Sequence, residues 1–162
     1  MTPAPSRRIR RAARLLVLDP EDRLLLFRFH VAGRSPFWAA VGGECDPDEP
    51  FELAARRELF EETGLSADPG CEFAARSYDF TSLEGEDVTA DERFFQVRVT
   101  QTRIDTAGHT ELERAVMQQH RWFTRAEARY MDGKSDVTRA GQKVGEAQLD
   151  PWMVGVGVGA RF

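Results

Sequence analysis

Only two cysteines, Cys45 and Cys71, occur in the 162 residues, and they form no CxxC pair. A disulfide-stapled framework is excluded, and a reduced, cytoplasmic protein is the expectation. No apolar run approaches the ~20 residues that a membrane helix needs. The basic stretch Arg7-Arg8-Ile9-Arg10-Arg11 resembles the start of a secretory signal, but Arg14, Asp19, Glu21 and Asp22 break the apolar stretch behind it. No signal is therefore expected. Positive charge is not in excess: the formal net charge is −5, which argues against a nucleic-acid polymer as partner. A single nucleotide stays compatible, because one bound cation reverses the local sign. No repeat and no linker divides the chain.

What is present is an ordinary globular balance, 41% apolar and 30% charged, in a length that suits one compact domain. The expected organisation is an arginine-rich arm over residues 1–10, a domain over 11–150 and a tail over 151–162. Residues 11–18 and 23–29 read as two strands, with the turn residues Asp19-Pro20-Glu21-Asp22 making them a hairpin. A short apolar piece, 37–41, ends at Gly42-Gly43. Residues 50–63 read as the best-specified helix, with Asp48 or Glu49 at its cap, Pro50 in its first turn and Gly64 as its stop. Strands follow near 72–80, 93–99 and 121–123. Thr124 then caps a second helix, with Glu127 in the capping-box position. The order of elements predicts a mixed α/β layer structure.

The helix from Pro50 carries an anomaly. At ~100° per residue, Phe51, Ala54, Ala55 and Leu59 share one face. Leu53 and Phe60 lie opposite, which predicts a helix packed between two layers. Glu58, Glu61 and Glu62 project near the first face in its C-terminal half, as neighbours at i,i+3 and i,i+4. Like charges there repel, and negative groups in a last turn oppose the helix dipole. Carboxylates converging on a packed face also raise one another's pKa. A divalent cation relieves all three penalties, and hard oxygen ligands favour Mg²⁺ or Mn²⁺. A solvated acidic helix end is the plainer reading of the same residues. The surroundings favour the cation: Gly42-Gly43 permits a close backbone approach, Glu49 closes an acidic loop, and Arg57 stands i,i+4 from Glu61, where it can orient that carboxylate.

Gly43, five residues, Glu49, seven residues, then Arg57-Glu58-Leu59-Phe60-Glu61-Glu62-Thr63-Gly64-Leu65 resembles the Nudix box, G-x5-E-x7-R-E-U-x-E-E-x-G-U with U aliphatic, at all nine defined positions. Val41 departs from relatives that carry proline before the two glycines. The chain is thus identified as similar to the Nudix hydrolases, MutT-like proteins whose fold is a mixed β-sheet sandwiched between α-helices. The resemblance implies that Glu58, Glu61 and Glu62 bind the essential Mg²⁺ (or Mn²⁺) together with the carbonyl of Gly43. It also implies that Glu49 acts through water or by holding the loop, that Arg57 orients a glutamate and that Glu61 or Glu62 serves as the base. A further carboxylate from outside the box is expected at Glu111 or Glu113, with Glu113 preferred. Such enzymes hydrolyse a nucleoside diphosphate linked to another group, and homodimers are common among them.

Trp38, Phe37, Tyr78 and Phe80 are candidates to stack on a base, and Arg28 and Arg76 to meet phosphate; core aromatics and exposed arginines are the alternative. His30, His109 and His120 show no spacing that suggests a metal site or triad and are treated as incidental. Phe80 and Thr81 stand where ADP-ribose hydrolases of the family often have proline. Ser82 and Leu83 stand near where dinucleoside-polyphosphate hydrolases have tyrosine. The substrate class therefore stays open. Two other functions compete: a non-catalytic nucleotide sensor on the same fold, and an isoprenyl-diphosphate isomerase. The latter needs cysteine and glutamate motifs that Cys45 and Cys71 do not provide.

Overall fold

The computed structural model describes residues 7–33, 35–82, 85–124, 127, 134–139 and 142–148. Its centre is β1 (Arg8–Leu18), which runs parallel to β5 (Asp87–Arg98) along its whole length. Ala12, Ala13, Leu15, Leu16, Val17 and Leu18 of β1 are all buried, as expected of a parallel strand covered on both faces. β4 (Ala74–Thr81) pairs antiparallel with the far side of β5. On the near side, β2 (Leu24–Phe29) carries β3 (Phe37–Ala39) and β6 (Met117–Phe123), both antiparallel to it. The result is a six-stranded mixed sheet.

Several strand expectations need correction: β5 begins at Asp87 rather than near Arg93 and ends at Arg98, and β6 begins at Met117 rather than Arg121. β1 starts at Arg8, so residues 8–10 of the expected arm belong to the sheet, opposite Val88, Thr89 and Ala90. Ion pairs explain how arginines extend a strand there: Arg8 binds Glu44 and Glu86, and Arg10 binds Glu44. The β1–β2 hairpin is also paired only at Leu18 and Leu24. Beyond that point β1 turns to the 41–45 segment instead, through bridges Leu15–Val41 and Ala12–Glu44. That divergence brings Gly42-Gly43 against β1.

The helix α1 (Phe51–Thr63) follows. Its cap is Pro50, without a side-chain cap bond, rather than Asp48 or Glu49. Gly64 ends it in the left-handed conformation at φ 69°, its N–H bonded to the Phe60 carbonyl, the geometry glycine adopts without steric cost. Ala54, Ala55 and Leu59 are fully buried in one cluster with Ala13, Leu15, Val17 and Phe95. Phe51 packs under the guanidinium groups of Arg11 and Arg93, 4.3 and 5.1 Å from its ring centre. Burial of each large side chain such as Phe27, Phe94 or Phe95 contributes roughly 1.5–3 kcal/mol. Leu53 and Phe60 are 52% and 62% exposed. The expectation that this helix packs on two sides is therefore overturned; among the described residues, the covered face is the one carrying Ala54, Ala55 and Leu59.

A short helix absent from the sequence expectations, α2 (Glu111–Val116), precedes β6. The capping box expected at Thr124 and Glu127 is present, with the Thr124 N–H and hydroxyl on the Glu127 carboxylate and the Glu127 N–H on the Thr124 hydroxyl. The helix expected to follow Thr124 falls mostly outside the described residues, as does the whole 151–162 tail. β7 (Lys134–Arg139) and β8 (Gln142–Gln148) form a separate two-stranded ladder. No helix among the described residues is long and apolar enough to cross a membrane.

The 19–23 turn illustrates how sequence fixes register here. The buried Asp19 carboxylate accepts the N–H groups of Glu21 and Arg23 at 3.0 and 2.8 Å and the Arg23 guanidinium at 2.6 Å. Asp19→Ala leaves those donors unpaired and is expected to cost roughly 1–3 kcal/mol of stability, read from urea unfolding. A change of only a few tenths would contradict this account of the turn.

Candidate functional site

The site is assembled where the C-terminal half of α1 meets the Gly42-Gly43 turn. The apolar stripe of Ala54, Ala55 and Leu59 continues into Glu58 and Glu62, which are only 5% and 4% exposed. Glu61 lies at the edge of that stripe with its side chain nearly half exposed. The helix thus buries two carboxylates and leaves the third open to solvent.

Arg57 gathers them. Its Nε and Nη2 donate to the two carboxylate oxygens of Glu49 at 3.0 and 2.9 Å. Nη2 also donates to the Glu44 carbonyl at 3.1 Å, and Nη1 to Glu58 at 2.8 Å and Glu61 at 3.0 Å. Five bonds match the five N–H donors of a guanidinium, a set no lysine can supply. These bonds push the Arg57 pKa up, with Glu49 the largest cause, and Arg57 in turn holds the Glu49 carboxyl below its usual range. Glu49 also closes its own loop by accepting the Asp46 N–H at 2.9 Å.

Gly42 is required by a backbone contact, and Gly43 makes room for a side chain. Gly42 has φ 132°, and a Cβ there would lie 2.1 Å from the Ala13 carbonyl oxygen. A Cβ on Gly43 would meet the Glu58 carboxylate at 2.5 to 2.7 Å. The Gly42 N–H donates to Glu62 Oε2 at 3.0 Å. The Gly43 carbonyl accepts the Ala13 N–H at 3.0 Å and keeps its second lone pair. Arg14, half-buried in mid-strand, donates to the Gly42 carbonyl at 2.8 Å and to the buried Glu92 at 3.0 Å.

Burial raises the pKa of Glu58 above the ordinary carboxylate value, against the lowering effect of Arg57. Burial pushes Glu62 up to about 8, opposed by the Gly42 N–H and assisted by the charge of Glu58. Glu113 adds to the rise at both. The donor set is hard oxygen, crowded and short of positive charge, so it fits a divalent cation by chemistry. Among the described residues, however, no three acidic, histidine or cysteine groups are already gathered as a metal shell. Arg57 draws Glu58 and Glu61 toward Nη1 while Glu62 is tied to Gly42. The site as it stands is an arginine-held carboxylate cluster.

The remaining candidates are distributed unevenly. Glu113 sits at the third position of α2, its carboxylate accepting the Thr110 N–H at 2.7 Å and hydroxyl at 2.9 Å in a capping box; Glu111 is exposed on the first turn. Arg28 pairs across β2 with Trp38 and Gln119, and Trp38 packs edge-on against Phe123 at 4.8 Å. Phe37 stacks on Phe29 at 5.4 Å. Arg76 and Phe80 lie on β4, at the other end of the strand order from β3. Arg76 binds Glu92 at 2.9 Å and covers the Tyr78 ring at 3.8 Å, and Tyr78 packs on Phe80. The structure therefore groups Arg28 with Trp38, and Arg76 with Phe80, without joining the pairs. Cys45 is half-buried and Cys71 exposed.

Sequence reasoning missed Arg14, Glu44, Glu92 and His109. His109 is buried, and its ring Nε2 lies 2.8 Å from the Glu62 carbonyl oxygen. None of these carries a local signal, because each acts through a partner distant in the chain.

The raised pKa of Glu62 has a thermodynamic consequence. The folded protein binds this proton more tightly than the unfolded chain, so stability is highest below the ordinary value of 4.5 and falls as pH rises toward about 8. In metal-free buffer, the urea midpoint of the wild type is expected to fall across that window. Glu62→Gln, which stays neutral and keeps an acceptor for Gly42, is expected to flatten the fall; an equal fall in both proteins would contradict the argument.

Known proteins bear on this arrangement. A NUDIX domain family model matches residues 8–141. Among curated proteins, no sequence match is found. The MutT protein from Methanosarcina mazei Go1 is a similar solved structure, at TM-score 0.60 and 18% identity over 77% of this chain and 83% of that one. The E. coli ORF135 protein follows at TM-score 0.57 and 21% identity over 79% and 82%. A bifunctional NMN adenylyltransferase/ADP ribose pyrophosphatase from Francisella tularensis, complexed with AMP and Mn ion, is similar at TM-score 0.54 and 20% identity over 79% of this chain and 38% of that one. These likenesses speak to the fold. The family match spans the sheet, the Gly42-Gly43 turn and the carboxylate helix together, and the chain belongs to the NUDIX domain family.

Proposed function

We propose that this protein hydrolyses a diphosphate linkage in a nucleoside diphosphate joined to another group, with Mg²⁺ as cofactor and Mn²⁺ as a substitute. The observation that carries the reading is the pair of buried carboxylates, Glu58 and Glu62, set against a glycine turn and organised with Glu61 by one arginine. Burying charge in this way is costly, and perturbed groups of this kind concentrate where chemistry is done. The Francisella relative crystallised with AMP and Mn ion supports a nucleotide and a divalent cation.

Glu58, Glu61, Glu62 and the Gly43 carbonyl are the residues that would hold the cation, which supplies charge neutralisation for the diphosphate and a lowered pKa for water. Arg57 fixes where Glu58 and Glu61 lie before substrate arrives, so their positions are set in advance. Glu61 is the more accessible of the two glutamates offered as base, and its carboxylate would accept the proton of an attacking water. Glu62 is held in place by the Gly42 N–H. Glu113 contributes negative charge near the cluster while its capping box sets its orientation. On this reading Trp38 and Arg28, or Arg76 and Phe80, bind the nucleotide portion.

The test is product release from a nucleotide panel with Mg²⁺: dNTPs, oxidised dGTP, ADP-ribose, NADH, sugar nucleotides and dinucleoside polyphosphates. The wild type is expected to cleave one class, to lose activity when Mg²⁺ is chelated and to regain it on readdition. A Glu61→Gln/Glu62→Gln variant should lose at least ~10²-fold in kcat. Turnover that survives both chelation and the double substitution would overturn the assignment.

A further inference from the structure

The last turn of α1 ends in carbonyl groups with no helical partner, directly behind the carboxylate cluster. The loop 105–109 meets them. The Asp105 N–H donates to the Thr63 carbonyl at 2.9 Å. Gly108 lies so close that a Cβ would come within 2.5 Å of the Glu61 carbonyl oxygen. His109 supplies the third contact, 2.8 Å from ring Nε2 to the Glu62 carbonyl. A carbonyl can only accept, so Nε2 carries the proton in this bond.

His109 is itself anchored. It is buried, and its ring packs on Phe27 at 5.8 Å between centres. Phe27 belongs to β2 and to the main core, and His120 of β6 packs on it as well. Glu62 is therefore held at two ends. Its carboxylate takes the Gly42 N–H, and its own carbonyl takes the His109 N–H. A slip of the helix end moves the carboxylate off Gly42, because both bonds belong to one residue.

We propose that His109 is a positioning residue, whose ring N–H fixes the backbone of Glu62 and so keeps the Glu62 carboxylate on the Gly42 amide and available to the cation. The proposal rests on the reading that Glu62 serves a cation site. It assigns no role to titration of the imidazole. It does assign the loop 105–109 a purpose beyond connecting β5 to α2, since three successive contacts from that loop fall on Glu61, Glu62 and Thr63.

His109→Gln and His109→Met test it as a pair. Both remove the ring from Phe27, and their side chains are similar in size, but only glutamine has an N–H to give. The readouts are Mn²⁺ affinity by electron paramagnetic resonance and hydrogen exchange at the Gly42 amide, each with an unfolding midpoint. His109→Gln should bind Mn²⁺ within about threefold of wild type, and His109→Met about tenfold more weakly, the loss typical when a group supporting a ligand is removed. The Gly42 amide should exchange faster in His109→Met than in His109→Gln. Equal Mn²⁺ affinity and equal Gly42 exchange in the two variants would overturn the proposal and leave His109 a packing residue. Failure of both variants to fold would also overturn it, because the ring rather than its N–H would then be what the site needs. If the wild type takes up no Mn²⁺, the cation reading falls by itself, and Gly42 exchange still decides the role of His109.

Discussion

Arg57 is the interaction on which the rest of the site depends. One guanidinium, a little over one-quarter exposed, spends all five donors on Glu49, Glu58, Glu61 and the Glu44 carbonyl. Without it, three negative groups would face one another at the negative end of a helix, with nothing to choose among their rotamers. With it, the acidic loop and the helix become one unit, because Glu49 closes the loop and Arg57 ties that loop to the helix. The geometry is bidentate at Glu49, which is why lysine is no conservative replacement here.

The remaining cost is carried by backbone. Glu62 is buried beyond the reach of Arg57, and its partner is an amide that exists in the right place only because residue 42 has no Cβ to strike Ala13. A Cβ at residue 43 would displace the Glu58 carboxylate from its present position. Arg14 braces the same turn from the strand below, and Glu92 neutralises Arg14 in turn. The site is thus a set of burdens on the fold: buried carboxylates, a half-buried arginine in mid-strand and a turn with positive φ. Each is met by a specific partner rather than by general packing, and sites of function commonly hold such locally unfavourable groups.

Much of this was legible in the sequence. Fixed spacing within one helix gave the stripe that begins with alanine and ends with glutamate, and Gly64 marked its end. The strand compositions of 11–18 and 23–29 were also readable, and 93–99 marked the second half of β5. Pairing was not: the parallel partnership of β1 with β5 joins residues about eighty positions apart, and periodicity carries no information on partners. The same limit hid Arg14, Glu92 and His109, each defined by a distant contact. Leu53 and Phe60 misled because an apolar residue on a helix announces burial only by average behaviour, and surfaces keep many such residues. Glu113 reads as a catalytic candidate by sequence, although Thr110 and Glu113 carry the same capping signature as Thr124 and Glu127. Six residues of α2 were too few for a periodic pattern.

The most direct test of the account is anomalous diffraction from crystals soaked in Mn²⁺. The account predicts a peak bonded to carboxylate oxygens of Glu58 and Glu62 and to the Gly43 carbonyl, at roughly the 2.0–2.6 Å of hard-cation coordination, with Glu61 drawn in and Arg57 still holding Glu49. Ordered Mn²⁺ elsewhere, or a vacant cluster in a protein that hydrolyses diphosphates, would contradict it.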